Sequence, residues 1–174
     1  MDCFDLEIDT DIDIDSSQDE SAHSSSESNE NPSRHHMRSL VFHLLYAMDS
    51  FSYDVSLEAI VDNFNRGFNL DIPHEGEIVT MARAIIDDRQ QLDDVIKSVL
   101  DKWRLERLGC CTRLILRLSL WELLHTQTPG TIIINEAIEL AKCFAERDAY
   151  KFINGVLDEV LKRISAPKSD GAQS

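Results

Sequence analysis

From Arg34 onward, apolar residues recur at the three- and four-residue spacing of helices buried on one face. Leu40, Val41, Leu44, Leu45 and Met48 predict a first helix. Leu57, Ile60, Val61 and Phe64 predict a second, with Ser56 as its cap and Gly67 and Pro73 in the loop beyond. Ile78, Met81, Ala82 and Ile85 give a third, and Leu92, Val95, Ile96, Val99 and Leu100 a fourth. The fifth, from about Arg107 to His125, carries Leu114, Leu116, Leu118, Leu120, Trp121 and Leu124. It is apolar on most sides, the mark of a central helix. Thr128 followed by Pro129 reads as a hydroxyl cap and a proline in the first turn of a sixth helix. That helix carries Ile133, Ile134, Ala137, Ile138, Leu140, Ala141 and Phe144. Asp148 is placed to cap a seventh, which packs through Ile153, Val156, Leu157, Val160, Leu161 and Ile164. Lys162 and Arg163 complement the dipole at its end. No convincing period-two alternation interrupts this pattern. The expected fold class is all-α, a compact bundle of about seven helices.

The periodicity divides the chain into three regions. Residues 1–33 hold 11 of the 32 acidic residues and neither Lys nor Arg, and are rich in serine. They contain too little apolar surface to offset the entropy of ordering, so a disordered acidic arm is expected. Its DTDIDID run looks like a calcium loop but lacks the sixth-position glycine and the twelfth-position glutamate. Residues 34–165 form the helical domain, and 166–174 read as an unstructured tail. The charge of −15 is therefore uneven, with only −4 falling from Arg34 onward. A mildly acidic domain can still carry a local basic patch that binds an anion.

Composition excludes several classes. No apolar run is long enough to span a bilayer, and the N-terminus lacks the basic and apolar regions of a secretory signal. Cys3, Cys110, Cys111 and Cys143 show no metal-ligand spacing and read as reduced thiols of a cytoplasmic protein. His35, His36 and His43 lack a spaced carboxylate or thiol, so no metal is expected. There is no GxSxG, P-loop, GxGxxG or HExxH, and Cys143 has no evident histidine partner. Neither catalysis nor a cofactor is expected.

A few residues ask for more than packing. Gly155 sits inside a helix, where glycine costs about 1 kcal/mol relative to alanine. A tight helix crossing is the simplest reason for it, with Asn135 or Asn154 bonding a neighbouring loop. Lys151 and Phe152 lie in the first turn of the seventh helix, where unpaired N–H groups favour an anion and an aromatic ring can stack on a base. From pattern alone, Phe152 is also a good core residue. Arg34, His35, His36 and Arg38 put positive charge at a helix N-terminus, where the dipole disfavours it. That local cost points to a partner, most simply phosphate.

These residues support a resemblance. The stretches INEAIELAKCF (134–144), YKFINGVLD (150–158), LRLSLWELL (116–124) and LLYAMD (44–49) resemble the NusB family of bacterial transcription antitermination factors. Residues 55–105 match only in their helical pattern, and the acidic arm has no counterpart. The resemblance implies seven helices in two subdomains. It also implies single-stranded, boxA-like RNA of ribosomal transcripts as ligand, together with the small-subunit ribosomal protein that acts as NusE. Both would serve the RNA polymerase antitermination complex. Residues carried over for RNA are Arg34, His35, His36 and Arg38 at the start of helix one, and Asp148, Lys151 and Phe152 at the start of helix seven. Tyr46 is carried over for the ribosomal partner. Thr112 stands where the family has a partner-binding glutamate. His35 and His36 dilute an arginine run, which implies weaker and more pH-dependent RNA binding. A homodimer that hides the RNA surface is a further state known in the family.

Two rivals remain. A NusB-like domain also heads some ribosomal RNA cytosine methyltransferases, but no catalytic domain is expected in a chain ending at Ser174. The other is a protein-only interaction module that has lost RNA binding. The acidic arm reads as a solubilising tail, with competition against RNA as the alternative.

Overall fold

The computed structural model describes residues 33–100 and 105–165. The acidic arm up to residue 32, its calcium-loop-like run and the tail from 166 lie outside the described residues. The elements are α1 (Arg34–Ser50), α2 (Leu57–Phe68), α3 (Glu77–Asp87), α4 (Arg89–Val99), α5 (Cys110–His125), α6 (Gly130–Phe144) and α7 (Ala149–Ser165). Among the described residues there is no strand. The predicted all-α bundle is the fold.

Local chemistry sets the boundaries. The Ser33 hydroxyl accepts from His36 N at 3.2 Å and opens α1. The Ser56 hydroxyl accepts from Ala59 N at 3.2 Å and opens α2. Asn69, left-handed at φ 50°, closes α2. Gly67 belongs to α2 and not to the following loop. α5 begins three residues later than the pattern suggests, because Leu105–Arg107 form a separate 3-10 turn. α6 begins at Gly130, with the carbonyl of Pro129 accepting from Ile132 and Ile133. Thr128 therefore does not cap it.

Asp148 does precede α7, but at φ 67°, with its carboxylate 2.8 Å from Lys151 Nζ. Its side chain holds the lysine and not the helix amides. Gly155 is also not a crossing point: a Cβ there would meet nothing within 4 Å. Asn154 bonds Asp158 within its own helix at 3.3 Å, and Asn135 is exposed on α6.

α5 is the axis of the core. Leu114, Ile115, Leu116, Leu118 and Leu120 are each at most 1% exposed. Burying such side chains stabilises by roughly 1.5–3 kcal/mol each. α1, α2 and α3 pack on one another, and so do α4, α5, α6 and α7; α1 and α3 contact α5 and join the two groups. These are the two subdomains.

The α1–α5 seam is antiparallel and carries opposite charge pairs at its two ends. Arg38 pairs with Glu122 at 2.8 Å. Eleven residues further along α1, Asp49 pairs with Arg113 at 3.2 Å. Burial alone would raise the Asp49 carboxyl. Hydrogen bonds from the Cys110 thiol and the Tyr53 hydroxyl, with the charges of Arg113 and Arg117, outweigh burial and hold it below its ordinary value. The Cys110 thiol is pushed up to about 11, first by burial and then by Asp49.

Candidate nucleic-acid interface

α1 and α6 lie side by side and run in the same direction. Arg34 Nη1 donates to Thr128 Oγ1 at 3.5 Å, just ahead of α6. His35 Nδ1 lies 2.8 Å from Glu136 Oε2 in the middle of α6. A carboxylate oxygen only accepts, so this ring nitrogen carries the proton. At the far end, the Phe42 ring stacks on Phe144 at 4.9 Å, and His43 meets Phe144 edge-on at 5.0 Å. The first turn of α1 therefore lies against the first half of α6, from Thr128 to Glu136, and the α6–α7 turn is at the far end.

The two sets of sequence-predicted residues thus lie toward opposite ends of α6. Arg34, His35 and His36 are exposed at the near end. At the far end Lys151 is 65% exposed, held by Asp148. The Asp148 hydrogen bond and charge raise the Lys151 ammonium above its ordinary value. Phe152 is half-buried against the core.

Two predicted residues are elsewhere. Arg38 is 2% exposed, and its guanidinium forks onto Glu122 through Nε and Nη2, both at 2.8 Å. It is an interior residue and presents no surface to a phosphate. Thr112 is 3% exposed, and its hydroxyl donates to Glu146 Oε2 at 2.6 Å. It presents no surface to a partner either, because Glu146 covers it. Tyr46, by contrast, is 45% exposed on α1.

The structure also brings forward residues that the sequence pattern did not single out. Tyr150 lies beneath two ammonium groups, with Lys151 Nζ 5.6 Å and Lys142 Nζ 6.0 Å from its ring centroid. An aromatic ring beside two lysines offers both stacking and charge. Their signal was present as YK at 150–151, with Lys142 in the last turn of α6. Glu122 and Glu136 were legible only as charges within strongly apolar helices. No group of three or more His, Cys, Asp or Glu suited to a metal ion occurs among the described residues. Among the same residues, no helix is long and apolar enough to cross a membrane.

The NusB family model matches residues 35–162. The transcription antitermination protein NusB of Macrococcus caseolyticus is 38% identical over 134 residues, covering 75% of this chain and 97% of that protein. Its namesake from Campylobacter jejuni is 40% identical over 136 residues, covering 75% and 96%. Among solved structures, T. maritima NusB aligns with a TM-score of 0.67 and 34% identity, over 76% of this chain and 92% of that one. A structure of the antitermination factors NusB and NusE in complex with double-stranded RNA aligns at 0.63 and 26% identity, over 75% and 96%.

Proposed function

This chain belongs to the NusB family, which comprises transcription antitermination factors and not enzymes, and we propose that it binds a boxA-type single strand of ribosomal RNA transcripts together with the ribosomal protein that acts as NusE. The observation that carries this reading is the arrangement along α6. Exposed basic groups at Arg34 and His36 stand at one end, and Lys151 and Tyr150 at the other. Phosphate contacts at both ends position the strand, while Tyr150 and the half-buried Phe152 meet bases at the Lys151 end. So few cations bind weakly alone, and the ribosomal partner, docked on the Tyr46 side of α1, adds a second surface. The complex acts in the cytoplasm on RNA polymerase.

A second reading has one observation in its favour. With Arg38 buried, a single arginine remains on the outer surface at the start of α1. A protein-only module that pairs with the ribosomal protein fits such a depleted patch.

Fluorescence anisotropy of a short boxA-like RNA, titrated with and without the ribosomal partner, decides between them. Partner-enhanced binding that weakens in Lys151→Ala is the expected result. Pairing with the ribosomal protein without any RNA affinity overturns the RNA reading and leaves the module.

A further inference from the structure

Arg38 lies four residues from Arg34 on the same side of α1, but one turn further in, where α5 covers it. Its side chain is 3% exposed and that of Glu122 is 5% exposed. Both Glu122 oxygens are engaged by the guanidinium fork. Burial works against the Arg38 charge. The Glu122 hydrogen bond, then the charges of Glu122 and Glu136, outweigh it and keep the guanidinium above its ordinary value. A second carboxylate oxygen, Glu136 Oε2, stands 3.7 Å from Arg38 Nη1 and 2.8 Å from His35 Nδ1. One connected set of polar contacts thus runs from inside α5, through Arg38, to Glu136 on α6 and out to His35 on the exposed turn of α1.

Residues 34–36 are exposed, so beyond the Ser33 cap and the half-buried Met37 the first turn of α1 is held by these polar contacts and by Arg34 on Thr128. A forked guanidinium fixes orientation as well as distance, which a point-charge ammonium does not.

We propose that Arg38 is a positioning residue: paired with Glu122 and flanked by Glu136, it fixes the angle at which Arg34, His35 and His36 meet RNA, without itself touching a phosphate. This rests on the RNA-binding reading for its purpose, but not for its geometry.

Three variants test it, each measured in the full chain with the ribosomal partner. Readouts are boxA-like RNA affinity against salt, partner affinity without RNA, and amide exchange over Met37–Val41. In Arg38→Lys the charge stays and the fork is lost. In Glu122→Gln the acceptor charge is lost. Both are expected to weaken RNA binding at least about tenfold, the equivalent of one hydrogen bond to a charged group. Exchange in α1 should quicken, with partner affinity unchanged. In the double variant Arg38→Met with Glu122→Leu, an apolar pair of similar bulk replaces the ionic one. The seam stays packed there but the fork is gone, so RNA affinity is expected to fall about as far as in Arg38→Lys, with the salt slope unaltered.

A phosphate contact predicts the reverse. Arg38→Lys would bind nearly as well, Glu122→Gln would bind more tightly by releasing the guanidinium, and the double variant would lose about 0.7 from the salt slope. Any of these overturns the proposal. If the double variant fails to fold, the two single variants still decide. If the original protein binds no RNA, the proposed function falls, while quickened exchange in Arg38→Lys still supports the positioning role and unchanged exchange overturns it.

Discussion

Arg38 and Glu122 stand 84 residues apart in the chain and share two 2.8 Å hydrogen bonds across the α1–α5 seam. A buried charge left without its partner is costly, whereas a well-packed apolar pair can replace both at little cost. Glu122→Ala is therefore expected to lower stability by roughly 3–5 kcal/mol, and Arg38→Met with Glu122→Leu by no more than about 1 kcal/mol. Urea unfolding with constant m-value checks both. Equal losses in the two variants would mean that the seam depends on charge itself.

Glu146 reaches from the α6–α7 turn to the start of α5, where no α5 side chain caps the helix. Its carboxylate accepts from the Thr112 hydroxyl at 2.6 Å and lies over the bare Cα of Gly109. A Cβ at position 109 would occupy the space of that carboxylate. Gly109→Ala and Glu146→Ala should thus remove the same interaction, each costing about 0.5–1 kcal/mol as a lost cap. In a double-mutant cycle the second change should add little. Full additivity in thermal unfolding would separate the two residues.

Gly155 is exposed within α7, and a methyl group there meets only open space. Gly155→Ala is expected to stabilise the protein by about 0.5–1 kcal/mol, because alanine is the better helix former and restricts the unfolded chain. A lower midpoint in denaturant would contradict this.

His43 meets the stacked rings of Phe42 and Phe144 edge-on and places Nδ1 2.6 Å from the Ser39 carbonyl oxygen. Burial lowers its pKa, the Ser39 hydrogen bond opposes this in part, and the charge of His36 lowers it further. The unfolded chain therefore takes up a proton at a higher pH than the folded one. Stability from this group is complete above the ordinary value of 6.5 and declines as pH falls below it, down to the lowered folded value. Between pH 7 and pH 5, His43→Gln should flatten the fall in unfolding midpoint seen with the original protein. An unchanged slope would assign the acid sensitivity to other groups.

The helices were legible because each buries one stripe, and a stripe at positions such as Leu40, Leu44 and Met48 needs only spacing to be recognised. The same spacing hid Arg38. A positive residue four places from Arg34 joins an exposed cluster on paper, and nothing local announces that a carboxylate 84 positions away will take it inside. Thr112 was hidden for the same reason: its occluding partner, Glu146, lies 34 residues on. Gly155 misled in the opposite sense, since an interior glycine suggests close packing and the structure gives it none. Rhythm along one element is a local property. Which side chain faces water at an element's end is decided by residues distant in the chain.

The seam between α1 and α5 also sets the order in which this protein can be made. α1 is complete at Ser50, but the face it needs is complete only at His125, 75 residues later. At about 5–20 residues per second, a nascent chain waits roughly 4–15 s with Leu40, Val41, Leu44 and Leu45 unpaired by α5. α5, α6 and α7 follow one another in sequence and pack on one another, so they close almost as they emerge. The face α1 shares with α2 and α3 can therefore be covered early, whereas the contacts that hold its basic first turn need α5 and α6 and can form only after both are made.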